Sequence, residues 1–199
     1  MAQTDGRLAR GEASRAAMLA AATEIVATEG IQGLTHRAVA ARIAVPHATV
    51  VYHFPLVSEL RQATLLQAGS KVVGCLAELI EETPDPARVP QIAADLAVLM
   101  VTTLRNETVT LYELLAQATR DDQLRPAVEL VNGRIADLIE PLSGSRALAS
   151  TAAASLLGLV LLAMAAGADQ DQEALRRQVA ALIEHFDPRL RPPWTKEWQ

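Results

Sequence analysis

The chain has a single cysteine, Cys75, among its 199 residues, so no disulfide can form within it. A lone thiol in a chain rich in Ala and Leu suits a small apolar residue in a reduced, cytoplasmic protein. Aromatics are almost as scarce, with two Trp, two Tyr and two Phe. Runs of alternating β-branched residues, the usual strand signal, are missing, while abundant Ala and Leu favour helix. The expected class is all-α. No His-Glu-x-x-His pair, paired-cysteine motif or glycine-rich phosphate loop occurs. Metal and cofactor chemistry therefore have no anchor, and an enzyme is not expected.

Charge of either sign is modest, and its placement says more than its total. The net charge is −5, yet residues 1 to 61 carry six arginines (Arg7, Arg10, Arg15, Arg37, Arg42 and Arg61) against five acids. The acidic excess falls entirely on the remainder. A mildly basic N-terminal part on an acidic body fits a nucleic-acid reader whose larger part has another task. Half of the residues are hydrophobic, enough for a sizeable core.

One long apolar run exists, the 22 uncharged residues from Ala147 to Ala168. It is long enough to cross a bilayer, but much of it is Ala, with Ser150, Thr151 and Ser155 included, and no Trp or Tyr marks its ends. A buried interface helix is the favoured reading, with no membrane partner.

Periodicity predicts about nine helices. After an arm over residues 1 to 10, whose Arg7 and Arg10 suit a minor groove, a first helix is expected over 12 to 29 and closed by Gly30. Thr35 is placed to cap a short helix over 36 to 43. Pro46 suits the first turn of another over 46 to 53. Longer helices follow over 57 to 82, 90 to 105, 107 to 119 and 122 to 142. The Ala-rich helix starts after Ser143-Gly144-Ser145 and ends at Gly167. A last helix spans 171 to 186, and a Pro-containing tail follows from Asp187.

Two short helices joined by three residues must cross steeply, and each buries only a few side chains. Val39, Ile43, Val45, Val50 and Phe54 have the spacing to be those side chains, with the first helix closing the small core. The outward face of the second short helix is then free to enter a major groove.

These residues resemble the TetR family of bacterial transcription regulators. Arg15, Met18-Leu19, Ala21-Ala22 and Gly30 resemble the family's first helix, and Leu34 to Ala40 the start of its second. Val45 to Phe54, ending Tyr52-His53-Phe54, resembles the turn and recognition helix, and Leu60 the start of the fourth. Val51 and Val57 stand where the family often has tyrosine and lysine on phosphate, which leaves Tyr52, Ser58 and Arg61 as substitutes.

The resemblance implies a DNA-binding domain over 1–56 and a ligand-binding and dimerisation domain over 57–199. It further implies a homodimer that acts as a repressor on a palindromic double-stranded operator and is released by a small effector. Expected DNA contacts are Thr35, His36, Arg37, Pro46, His47, Ala48, Thr49, Tyr52, His53 and Arg61, with Arg37 for phosphate or base and Ala48 for a thymine methyl. Leu66, Val73, Leu76, Met100, Leu104, Tyr112, Leu115, Asn132 and Ile135 are expected around a ligand, whose mostly aliphatic lining suits an apolar or amphipathic molecule. The dimer stripe is expected through Leu148, Ala152, Ser155, Leu159, Ala163 and Ala166, with Leu175, Val179, Leu182 and Phe186 of the last helix. The rival readings are a helical binding protein without DNA and a membrane-anchored helical protein.

Overall fold

Apolar residues recur three and four apart through most of the chain, and in this computed structural model they fold into helices. The structure describes residues 2–83, 85–167 and 171–186, without the side chains of residues 2–10, 86, 185 and 186. Among the described residues there are nine α-helices and no strand. They are α1 (Ala2–Glu29), α2 (His36–Arg42), α3 (His47–His53), α4 (Val57–Glu82) and α5 (Val89–Val101), then α6 (Arg105–Ala118), α7 (Arg125–Ser143), α8 (Arg146–Ala165) and α9 (Gln172–Phe186).

Three boundaries differ from the sequence expectation. The expected arm over 1 to 10 is helical from Ala2, because α1 propagates through Gly6 and Gly11. Extending a helix already held by a buried face is far cheaper than starting one, and Ala, Leu, Arg and Glu around the glycines favour it. Arg7 and Arg10 thus lie on a helix, with their side chains outside the described residues. The fifth helix stops at Val101, not Arg105. There the Thr102 hydroxyl donates to the Val98 carbonyl at 2.7 Å, a local bond that competes with helix. The expected helix over 122 to 142 opens with a one-turn 3-10 segment, Asp122–Leu124, whose start is capped by the Asp121 side chain accepting from Gln123 N. The proline-containing tail from Asp187 lies outside the described residues.

Two compact units divide the chain. The first comprises the described parts of Met1–Lys71 and Asn106–Leu130, the second those of Val72–Arg105 and Val131–Gln199. In the first, Met18, Ala22, Ile25 and Val26 of α1 close over Val39 of α2 and Val50 and Phe54 at α3, all buried. Ile43 and Val45, expected in the same core, are half-buried in the turn. The Thr110 hydroxyl of α6 donates to the Thr23 carbonyl of α1 at 3.0 Å, and Lys71 of α4 pairs with buried Glu107 of α6.

In the second unit α9 packs along α5 and beside α8. It turns Leu175, Val179 and Ile183 inward, and its Arg176 pairs with Asp95 of α5.

The turn between α2 and α3 is a Schellman closure. Val45 N donates to Ala40 O at 3.0 Å and Ala44 N to Ala41 O at 3.3 Å, the pattern that satisfies the last free carbonyls of a helix. It forces Ala44 to φ 54°, the only described non-glycine residue at positive φ. A Cβ in that region costs energy that glycine does not. Ala44→Gly is therefore expected to stabilise the protein by about 1 kcal/mol. A higher urea midpoint at unchanged slope is the readout.

Candidate nucleic-acid interface and ligand cavity

Seven residues make only two turns of helix, so α3 can bury one side and must present the other. Val50 and the following Phe54 face the core, and Ala48 and Tyr52 point away from it, with Tyr52 82 % exposed. Arg15 of α1 places its guanidinium 4.4 Å from the centre of the Phe54 ring, a cation–π contact that ties the end of α3 to α1. The start of α2 is held by Thr35, whose hydroxyl accepts from Ala38 N at 3.1 Å, as the capping expectation required.

Arg42 at the end of α2 reaches back to α1, pairing with Glu24 at 2.9 Å and Glu29 at 2.7 Å. That cation is committed to holding the helices together. Of the residues expected at the interface, Thr35, Arg37, Pro46, His47, Ala48 and Tyr52 are exposed, and His36, Thr49, His53 and Arg61 are half-buried. His36 meets His47 edge to face with ring centres 6.1 Å apart, and its Nε2 is buried without a hydrogen-bond partner among the described residues. His53 packs the same way on Tyr52 at 5.3 Å. The two rings therefore brace their neighbours as well as lying beside the face. Leu56, just past α3, is 58 % exposed, a feature that no spacing argument picks out.

A cavity lies wholly inside the second unit, with about 80 Å³ of room for water centres. Val72 and Leu76 of α4, Ile92, Leu96 and Met100 of α5, Ile135 and Ile139 of α7, Leu156 and Leu157 of α8 and Ile183 of α9 are among its walls. Among the described residues Ser143 is the only one with a polar side chain on it. Leu76, Met100 and Ile135 were expected here, whereas Leu66, Val73, Leu104, Tyr112, Leu115 and Asn132 do not line it. Asn132 is exposed, and Leu66, Tyr112 and Leu115 belong to the first unit. The α8 wall and, Met100 apart, the α5 wall were missed because these helices are apolar nearly all round, so periodicity marks no inner face. Ala152 and Leu148, expected in a dimer stripe, are on the wall of this cavity.

Arg146 of α8 bonds Asp137 at 2.6 Å and Glu140 at 3.3 Å on α7. The guanidinium is held above its ordinary pKa, chiefly by the hydrogen bond to Asp137 and then by that to Glu140.

On α8 the inner stripe is Ala149, Ala152, Leu156, Val160 and Ala163. The opposite side, through Thr151, Ala154, Gly158 and Ala165, is exposed together with Leu161 (44 %) and Leu162 (68 %). Ser155 and Leu159 flank it half-buried and Ala166 is exposed. Leu175 and Val179 are covered by their own chain, Leu182 is half-buried, and the side chain of Phe186 lies outside the described residues. Both α4 and α8 are long and apolar enough to cross a membrane, and only 22 % of the α8 stretch is buried.

No family model and no curated protein matches this chain. Solved structures do. The multidrug binding protein EbrR, complexed with imidazole, is 28 % identical over 84 % of this chain and 93 % of its own, with a TM-score of 0.68. EbrR is also known complexed with ethidium and with proflavin. A TetR-family member from Streptomyces coelicolor A3 is 27 % identical over 84 % of this chain and 96 % of its own, TM-score 0.71. A transcriptional regulator from Rhodococcus sp. Rha1 shares the fold at TM-score 0.76, with 22 % identity over 85 % of this chain and 94 % of its own.

If the Arg15–Phe54 contact anchors α3, Arg15→Met, which keeps the stem and removes the charge, lowers stability by about 0.5–1 kcal/mol. Chemical denaturation measures it, and an unchanged midpoint would show the contact to be idle.

Proposed function

The chain belongs to the TetR family of transcriptional regulators, and on that premise we propose that it binds a palindromic operator as a homodimer, represses there and leaves on taking up a small effector. The observation that carries the DNA reading is the outward face of α3, where Ala48 and Tyr52 stand clear of a core that holds Val50 and Phe54. A helix anchored on one side and bare on the other is what a major groove accepts. Arg37 and His47 flank it, exposed, and carry base or phosphate contact. Thr49 at its edge reaches a base, and Thr35, Pro46, Tyr52 and His53 with Arg61 of α4 follow the backbone. With Arg42 already paired to two glutamates, Arg37 is the chief cation of this face.

The homodimer rests on α8. An exposed side of small residues and leucines lets two helices approach closely, and a second copy covers apolar surface that the chain leaves bare. Ser155, Leu159 and Ala166 border that side. A C2 pair sets two recognition helices at the spacing of a two-fold operator.

Small-molecule uptake has a place in the second-unit cavity, and EbrR, with ethidium or proflavin, is a relative that takes such molecules. Release follows by population shift: α4 continues from the first unit into the second, and a ligand acts through its different affinity for the DNA-competent and incompetent forms.

A mobility shift with promoter DNA from the gene's own neighbourhood tests the regulator. Binding is expected to weaken steeply with salt, and Arg37→Ala with His47→Ala to weaken the specific complex by roughly 100-fold. A double variant that binds like the parent removes these residues from the interface. In sedimentation at micromolar concentration the parent is expected as a dimer and Leu162→Glu as a monomer. A monomeric parent overturns the dimer.

A further inference from the structure

Five helices wall the second-unit cavity, and among the described residues none brings a charge to it. No aromatic ring lines it among the described residues either. The described acids on the same helices are paired with arginine or exposed. Asp95 of α5 is bound by Arg176 of α9, and Asp137 and Glu140 of α7 are bound by Arg146 of α8. Glu78, Glu81 and Glu82 at the end of α4 are exposed. The described wall therefore has neither of the two groups that receive an organic cation, a carboxylate or an aromatic face. A cation brought inside would lose its water without compensation, and so would a carboxylate.

An aliphatic chain meets the opposite situation. It exchanges water for close contact with Leu, Ile, Val and Met side chains. A water needs roughly 10–15 Å³ of such room, so about 80 Å³ holds on the order of five to eight methylene-sized groups. Ser143 adds one polar feature. Its hydroxyl donates to the Ser145 carbonyl at 3.0 Å, which leaves the oxygen lone pairs for a donor. A ligand hydroxyl fits that position, whereas a carboxylate does not.

We infer that the ligand of this cavity is a neutral aliphatic molecule with at most one hydroxyl, and that organic cations and carboxylates are refused. That such a molecule acts as the effector rests on the regulatory reading; that it binds does not.

Calorimetry on the full chain without DNA makes the test, with four probes: 1-octanol, octyltrimethylammonium, octanoate and ethidium. The expected result is saturable 1-octanol binding at least about tenfold tighter than that of the three charged probes. Ala152→Leu, which fills the cavity from α8, abolishes that binding in protein whose helical circular dichroism is unchanged. Should this variant not fold, Ala93→Val narrows the same space from α5 and is expected to weaken 1-octanol severalfold. The inference is overturned if 1-octanol gives no saturable heat, if any charged probe binds as tightly, or if the folded cavity-filling variant binds like the parent. Failure of the mobility shift counts against the regulatory reading alone, because these titrations contain no DNA.

Discussion

Two seven-residue helices joined by four residues cannot hold themselves in water, since isolated helices of that length are only marginally stable, and this shortage of core governs the first unit. α2 and α3 together have few side chains to bury, so α1 supplies the rest of the hydrophobic surface with Met18, Ala22, Ile25 and Val26. The dependence continues in the polar contacts. Arg15 lies over Phe54, and Arg42 spans two glutamates of α1. The same economy leaves the far side of α3 bare, which is the property a groove-entering helix needs. Ala44, in a conformation better suited to glycine, is the strain that this tight geometry retains.

Charge in the second unit is arranged so that the interior stays neutral. Asp95, Asp137 and Glu140 are each matched by arginines on neighbouring helices. Pairs so exposed add little stability. Their effect lies in where the charges go: the helices are cross-tied at their rims, and the described cavity wall is left to aliphatic side chains. A cavity with one hydroxyl follows from that segregation as much as from the apolar residues themselves.

α8 shows how one composition supports several structural answers. Its Ala-rich run is apolar enough for a bilayer, for a core or for a partner helix. Within the chain it divides into an inner stripe, packed with α5 and α9 and lining the cavity, and an outer side of small residues that its own chain does not cover.

Local properties of the sequence determined the helical class, the capping role of Thr35, the terminal glycines Gly30 and Gly167, and α4 at its full length. They also separated Val50 and Phe54 from Ala48 and Tyr52, because a seven-residue helix with two strong anchors has only one way to face. These features depend on residues within a few positions of one another. The cavity and the α8 faces depend on which distant helices meet. Nothing near Met100 or Ile135 distinguishes them from Leu104 or Asn132, and only packing placed the first two on the wall and left the others off it. Leu175 and Val179 form a stripe that would suit a partner equally well until α5 occupies it. A uniformly apolar helix carries no periodic mark of its inner side, so tertiary structure alone decided which side chains wall the cavity and which side of α8 its own chain leaves uncovered.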